Sequence, residues 1–288
     1  MAVLVFPGQG SQCRGMGKGL FDEVEEFAAV EREINEIVGY SVRELCLNDA
    51  TNQLTQTQYT QPCLYIVNAL HYYKAIREGQ RVDAVVGHSL GEYNALLAAG
   101  SFDLVTGVKL VQKRGELMAR ARNGGMGAVI GLEAARIVSV LFEQRLLGID
   151  LANFNSQAQT VIAGPVDELK RAGPLLQAAG ARAYVPLPVS AAFHSRYMAG
   201  AAQAYHEFLA TFTFAPLKVT VISNATARPY PTGDQSSAVC ALLVKQITQP
   251  VLWLQSIKYL LNEGETEFRE VGPGTALTRL LEQIRQSS

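Results

Sequence analysis

The 288-residue chain is short of the features that mark a nucleic-acid binder, a membrane protein or a disulfide scaffold. Only 18% of its residues are charged, and 25 Lys and Arg against 26 Asp and Glu leave a formal net charge of −1. Without a basic stripe or a cationic tail, nucleic acid is not an expected partner. No apolar run reaches the length that crosses a bilayer, so no membrane partner is expected. Met1 to Gly8 lacks the basic segment, apolar core and cleavage site of a signal peptide, and the expected location is cytoplasmic. The four cysteines, Cys13, Cys46, Cys63 and Cys240, have no metal-type spacing and read as free thiols in a reducing compartment. No histidine–carboxylate cluster has ligand spacing either, so no metal is expected. Gly10 is not followed by Lys-Ser or Lys-Thr, which excludes a P-loop. Internal repeats and low-complexity segments are lacking.

What is present is 48% hydrophobic content, ample for one large domain carrying an insertion. Ala2 to Phe6 reads as a strand, broken by Pro7-Gly8-Gln9-Gly10. Leu20 to Val38 has the helical spacing Phe27, Val30, Ile34, Val38. Pro62 to Gly79 and Phe102 to Arg122 read as helices, and Asn123-Gly124-Gly125 as a break. The next segment changes texture. Strands at Gly127 to Leu132, Ile149 to Asn153, Gln159 to Ala163 and Ala183 to Val189 alternate with helices at Ala134 to Phe142 and Pro165 to Ala179. The order β-α-β-β-α-β is the ferredoxin-like split unit. Beyond it a helix is expected from His194 to Ala210, a strand at Val219 to Ser223, helices at Ala238 to Gln246 and Leu252 to Glu263, and a strand at Glu267 to Val271. The expected fold class is α/β: a hydrolase-like parallel-sheet domain from residues 1–125 and 191–288, with a small ferredoxin-like α+β domain inserted at 126–190.

The most informative stretch is Val85-Val86-Gly87-His88-Ser89-Leu90-Gly91-Glu92. A short apolar strand, a G-x-S-x-G turn and a helix ended by Gly100 make a nucleophile elbow, which lifts a serine hydroxyl above the carboxyl edge of a parallel sheet. The N-terminus of the following helix favours negative charge forming there during acyl transfer. Serine is a weak nucleophile at neutral pH and needs a base within hydrogen-bond reach. His71 and His206 sit in helices among polar neighbours and read as solvated or structural. His88 precedes Ser89 in the turn, where adjacent side chains diverge, and reads as a support. His194 is the best candidate base. An acid to orient it is hard to find: only Glu270, beside Gly272-Pro273-Gly274, sits at a strand-end turn, and a backbone carbonyl serves equally well. The Pro7–Gln12 loop is either a plain strand-to-helix turn or a source of an oxyanion donor at Gln9. Arg114, on one helix face with Met118, is either a snorkelling arginine or a clamp for a carboxylate.

Taken in order, these motifs resemble the malonyl-CoA:acyl-carrier-protein transacylase family. The resemblance runs from Phe6 to Gln12, through Thr60-Gln61-Pro62, Gly87 to Glu92, Gln112 to Gly115, Asn153 to Gly164, Ala192 to Ser195 and Gln249-Pro250-Val251, to Glu270 to Gly274. It implies Ser89 as nucleophile, His194 as base, the N–H groups of Gln9 and Leu90 as oxyanion hole, and Arg114 as partner of the malonyl carboxylate. It also implies that the main-chain carbonyl of Gln246 orients the histidine. Ala192-Phe193-His194 resembles the malonyl-selecting pattern, with Phe193 filling the space of an α-methyl branch and Met118 next to it in importance. The run from Val189 to Met198 is similar to the stand-alone, trans-acting acyltransferases of polyketide synthases. The implied partners are malonyl-CoA and an acyl carrier protein. The implied cofactor content is none, because CoA and phosphopantetheine enter as substrate and acceptor. Two alternatives remain open: an editing acyl-thioester hydrolase with the same Ser/His pair, and a non-catalytic binding domain.

Overall fold

A computed structural model of the chain describes residues 2–286. It opens with β1 (Ala2–Phe6), whose five residues are all buried. Four short helices, α1 (Leu20–Glu23), α2 (Glu25–Ala28), α3 (Glu31–Val38) and α4 (Val42–Asn48), lead into the long α5 (Thr57–Arg77). β2 (Ala84–Gly87), α6 (Gly91–Ala98) and α7 (Leu104–Arg120) follow. Next come β3 (Gly124–Ile130), α8 (Ala134–Glu143), β4 (Asp150–Ser156), β5 (Gln159–Pro165), α9 (Val166–Ala178) and β6 (Ala183–Pro186). The chain returns through α10 (Ala199–Leu209), β7 (Thr220–Ile222), α11 (Gln235–Thr248), α12 (Trp253–Asn262), β8 (Glu267–Glu270) and α13 (Ala276–Gln286).

Two sheets organise these elements. The first has the order β7-β2-β1-β8, with every neighbouring pair parallel. Its central strands β1 and β2 are apolar on both faces because both faces are covered, whereas the edge strand β8 carries Glu267, Arg269 and Glu270. Leu4, Phe6 and Val85 point into one core with α5, α6 and α7, whereas Val3, Val5, Val86 and Ile222 point into another with Trp253, Ile257 and Leu280. The second sheet is antiparallel, with the order β4-β5-β3-β6. With α8 and α9 as its crossovers, this is the ferredoxin-like arrangement the sequence predicts. Val129 and Ile162 face those helices, while Met126, Ala128, Val161 and Ala163 face back toward the core of the first sheet. The second sheet is tied through the backbone to the connection between α11 and α12: Phe154 N–H donates to the Val251 carbonyl and Val251 N–H to the Ala152 carbonyl, each at 2.9 Å.

Several boundaries differ from expectation, each for a local reason. Leu20–Val38 is not one helix. Phe21, Val24, Phe27 and Val30 all pack on the same core, but a continuous helix turns residues three apart by about 60° off one face per step. Val24, with φ −96° and ψ 101°, breaks the chain so that each can turn inward. The helix expected at Pro62 begins at Thr57, with Pro62 inside it. β6 ends at Pro186 rather than Val189, as Pro186 and Pro188 bring no N–H to the ladder. Gly124 and Gly125 are not a break but the start of β3, where a Cβ on Gly124 would meet the Ala192 nitrogen at 2.6 Å. His194 does not start a helix. Its φ is 56°, a short 3₁₀ turn spans Arg196–Met198, and α10 begins at Ala199.

Candidate active site

The elbow is built by close approach. A Cβ on Gly87 would lie 1.8 Å from the Gly91 carbonyl carbon, and one on Gly91 would lie 2.1 Å from the Phe6 oxygen. Only glycine at both positions lets α6 start directly over the end of β2. Between them Ser89 adopts φ 50°, a conformation that costs free energy and persists only where surrounding contacts enforce it. The contacts are present. Ser89 N–H donates to Asn224 Oδ1 at 2.6 Å, Asn224 Nδ2 donates to the Gly87 carbonyl at 2.6 Å, and Gln246 Nε2 donates to the Ser89 carbonyl at 2.9 Å.

His194 reaches Ser89 from the segment after β6. Its Nε2 lies 2.8 Å from Ser89 Oγ, and its Nδ1 lies 2.8 Å from the Gln246 main-chain oxygen. A carbonyl only accepts, so Nδ1 carries the proton and Nε2 presents a lone pair to the serine hydroxyl. Burial, and then the nearby Arg114 charge, push the imidazole down to about 3, which keeps it neutral. Glu270, the strand-end acid of the sequence, lies elsewhere. It caps the N-terminus of α13 by accepting from Leu277 N–H at 3.1 Å and Thr278 N–H at 2.8 Å. The orienting group is a carbonyl instead of a carboxylate.

Arg114 does not snorkel. It is 1% exposed, donating through Nη2 to Ser89 Oγ at 3.2 Å and to Gln246 Oε1 at 2.9 Å, with its guanidinium 5.5 Å from the centre of the Tyr93 ring. Its Nε has no hydrogen-bond partner among the described residues. Among the described residues no carboxylate lies within ion-pair distance of it. Arg114, Ser89 and His194 share a cavity of about 200 Å³ with Gln9, Met118 and Phe193. Met126, Ala128 and Val161 of the second sheet, with the polar Asn153, Asn155 and Gln159, form its far wall. The N–H groups of Gln9 and Leu90 take no protein acceptor among the described residues.

The structure thus brings Ser89, His194, Arg114, Gln9, Leu90, Met118, Phe193 and Gln246 together and leaves Glu270 out. It also gives parts to polar groups that sequence reasoning left without one or read only as a support. Gln61 lines the cavity, its side-chain carbonyl oxygen without a hydrogen-bond partner among the described residues. His88 does brace the turn, bonding Asn155 across the cleft at 2.9 Å and packing on Trp253, but its ring also lines the cavity. Glu92 and Asn224 lie beneath Ser89 and are fully buried. Glu92 carried one signal, a charge in the otherwise uncharged run Leu90 to Ala99. Asn224 carried none.

Known proteins resemble the chain over its full length. It is 48% identical over 290 residues to the polyketide biosynthesis malonyl CoA-acyl carrier protein transacylase PksC of Bacillus subtilis (strain 168), covering 100% of this chain and 98% of that protein. Polyketide biosynthesis protein PksE of the same organism is 46% identical over 290 residues, and there 100% of this chain spans 37% of the longer relative. The crystal structure of malonyl CoA-acyl carrier protein transacylase from Burkholderia pseudomallei matches with a TM-score of 0.94 at 45% identity, covering 100% of this chain and 99% of that one. No described helix is long and apolar enough to cross a membrane. The family model described as acyl transferase domain matches residues 3–288, and the chain belongs to that family.

Proposed function

We propose that the chain moves a malonyl group from malonyl-CoA to the phosphopantetheine thiol of an acyl carrier protein, through an ester on Ser89, in polyketide or fatty acid synthesis. The observation that carries this is Arg114, a buried cation with no carboxylate of its own, 3.2 Å from the serine hydroxyl. Burying an unpaired charge is costly. A substrate carboxylate in the same cavity supplies the missing partner, and guanidinium binds carboxylate through two parallel hydrogen bonds. The PksC relative bears the same activity in its name.

In the first half-reaction His194 Nε2 takes the Ser89 proton as Oγ attacks the thioester carbonyl carbon. The developing oxyanion sits on the N–H groups of Gln9 and Leu90 at the start of α6. The C–S bond then breaks, and His194 returns its proton to the CoA sulfur. In the second, the carrier thiol gives its proton to His194 and attacks the Ser89 ester, and Ser89 leaves with that proton. These steps use the chain's own side chains, and CoA and phosphopantetheine come and go with the substrates. An open groove of about 660 Å³, lined by Gln56, Gln58, Arg120 and Arg122, shares Leu187 and Val189 with the cavity and offers a path for both arms. Phe193 and Met118 limit the volume beside the malonyl α-carbon. The separate sheets support a division into a catalytic unit of residues 1–125 and 191–288 and a small unit of 126–190. A cytoplasmic location fits the soluble thioester substrates.

Intact-mass measurement after mixing with malonyl-CoA tests the assignment. The expected result is an adduct on Ser89 that persists in buffer and is discharged by a holo acyl carrier protein to malonyl-carrier. Release as free malonate, even with saturating carrier, overturns transfer in favour of the hydrolase. No adduct at all leaves a binding domain.

A further inference from the structure

The sequence offers His194 no acid, yet a carboxylate lies buried one helical turn beyond Ser89. Glu92 is 0% exposed on the first turn of α6. Its Oε2 accepts from Gln246 Nε2 at 2.5 Å and from Asn224 N–H at 3.2 Å, while Oε1 accepts from the Tyr230 hydroxyl at 2.6 Å. Neither of its two partners at Oε2 is passive. Asn224 holds the Ser89 N–H and the Gly87 carbonyl. Gln246 holds the Ser89 carbonyl through Nε2, Arg114 through Oε1 and His194 through its main chain.

From this we infer that Glu92 is the positioning residue of the site, setting the Ser89–His194–Arg114 geometry through Gln246 and Asn224. A glutamine side chain can face either way. With a carboxylate oxygen on one side, the Gln246 amide must turn its NH₂ there and its carbonyl oxygen toward Arg114. The reverse orientation would set NH₂ against guanidinium and oxygen against the Ser89 carbonyl. Glu92 therefore fixes, from outside the cavity, which groups Arg114 and the elbow backbone meet. It touches neither the cavity nor the imidazole.

The action is through acceptor geometry, not charge. Burial pushes the Glu92 carboxyl up to about 7, against the pull of Tyr230, Gln246, Asn224 and the Arg114 cation on α7. The site therefore tolerates a neutral group at this position. Glu92→Gln keeps an oxygen for Gln246 and Asn224 and turns its own NH₂ to the Tyr230 oxygen. Glu92→Asp keeps the charge but withdraws the oxygens by one methylene.

The test is the rate at which phenylmethanesulfonyl fluoride labels Ser89, read by intact mass alongside kcat and KM for malonyl-CoA. Labelling needs an activated serine but no malonyl recognition, so the inference rests on the transacylase assignment only for the second readout. The expected result is Glu92→Gln within about threefold of wild type in labelling, and Glu92→Asp about tenfold or more slower. In Glu92→Asp kcat should fall with labelling while KM stays within about threefold, since no acyl contact is lost. Glu92→Asp labelling at the wild-type rate, or Glu92→Gln no faster than Glu92→Asp, overturns the inference. A wild type that labels normally but forms no malonyl adduct overturns the transacylase assignment alone.

Discussion

The two walls of the catalytic cavity differ in kind. On the side of the parallel sheet, Ser89, Arg114, Gln246, Asn224 and His194 are joined by hydrogen bonds of 2.6 to 3.2 Å, and hardly any group is free to move alone. On the side of the antiparallel sheet, Met126, Ala128 and Val161 set an apolar surface among Asn153, Asn155 and Gln159, and of these polar groups Asn155 bonds His88 at 2.9 Å. The first wall places charges and protons in a low-dielectric site, where a small displacement is costly. The second sets a volume, where one methyl group more or less is worth a modest amount. Substitutions on the polar wall of the first sheet should therefore change whether the reaction runs, and those of the apolar residues on the second wall and at the rim should change which acyl group is used.

Ser89→Ala bears hardest on that division. It should abolish the malonyl adduct and cut kcat on the order of 10⁴-fold or more, with the thermal transition little changed. Peptide mapping that finds malonyl on any other residue removes the polar wall from the chemistry. Arg114→Ala comes next. It should weaken kcat/KM for malonyl-CoA by about 2–5 kcal/mol more than for acetyl-CoA, which has no carboxylate to lose. Equal losses for the two substrates assign Arg114 to bracing Gln246 alone.

The third experiment concerns stability and pH. The Glu92 carboxyl ordinarily titrates near 4.5 and is raised to about 7 in the fold. The folded state therefore binds the proton more tightly than the unfolded chain. The resulting stabilisation is fully present below 4.5 and is lost as pH rises through 7. Between those pH values wild type should lose about 3 kcal/mol relative to Glu92→Gln, read from denaturant midpoints at each pH. A constant difference between the two proteins contradicts it. The smallest effect is expected at the apolar rim. Phe193→Ser should narrow the malonyl over methylmalonyl ratio of kcat/KM by at most about 10–200-fold while activity persists. An unchanged ratio in an active variant moves selectivity to Met118.

The sequence disclosed what is local. A strand of Ala84 to Gly87, a helix after Leu90 and glycines on both sides of the turn are adjacent along the chain, and the turn has no room for other residues. The central parallel strands β1 and β2 were legible because burial on both faces leaves unbroken apolar runs. The approach of His194 to Ser89 was expected but not its backbone, for nothing in Ala192-Phe193-His194-Ser195 announces a left-handed residue. The support beneath the elbow stayed hidden. Asn224 and Gln246 meet Ser89 from 135 and 157 residues away, and Glu92 has meaning only once they arrive. The search for an acid after His194 failed because the acid precedes it and acts through an amide.

One feature of the fold governs how the cavity can change width. Val251 hydrogen-bonds to both Ala152 and Phe154 of β4, five residues beyond the Gln246 carbonyl that holds the imidazole. The second sheet is therefore pinned to the α11–α12 connection beside His194 rather than at a distant hinge. Opening the cleft there would drag on the segment that fixes His194 and spoil the proton path. A substrate too wide for the gap cannot pry it apart without disarming it. The site measures its acyl group with a fixed gauge, and misfit costs reactivity as well as affinity.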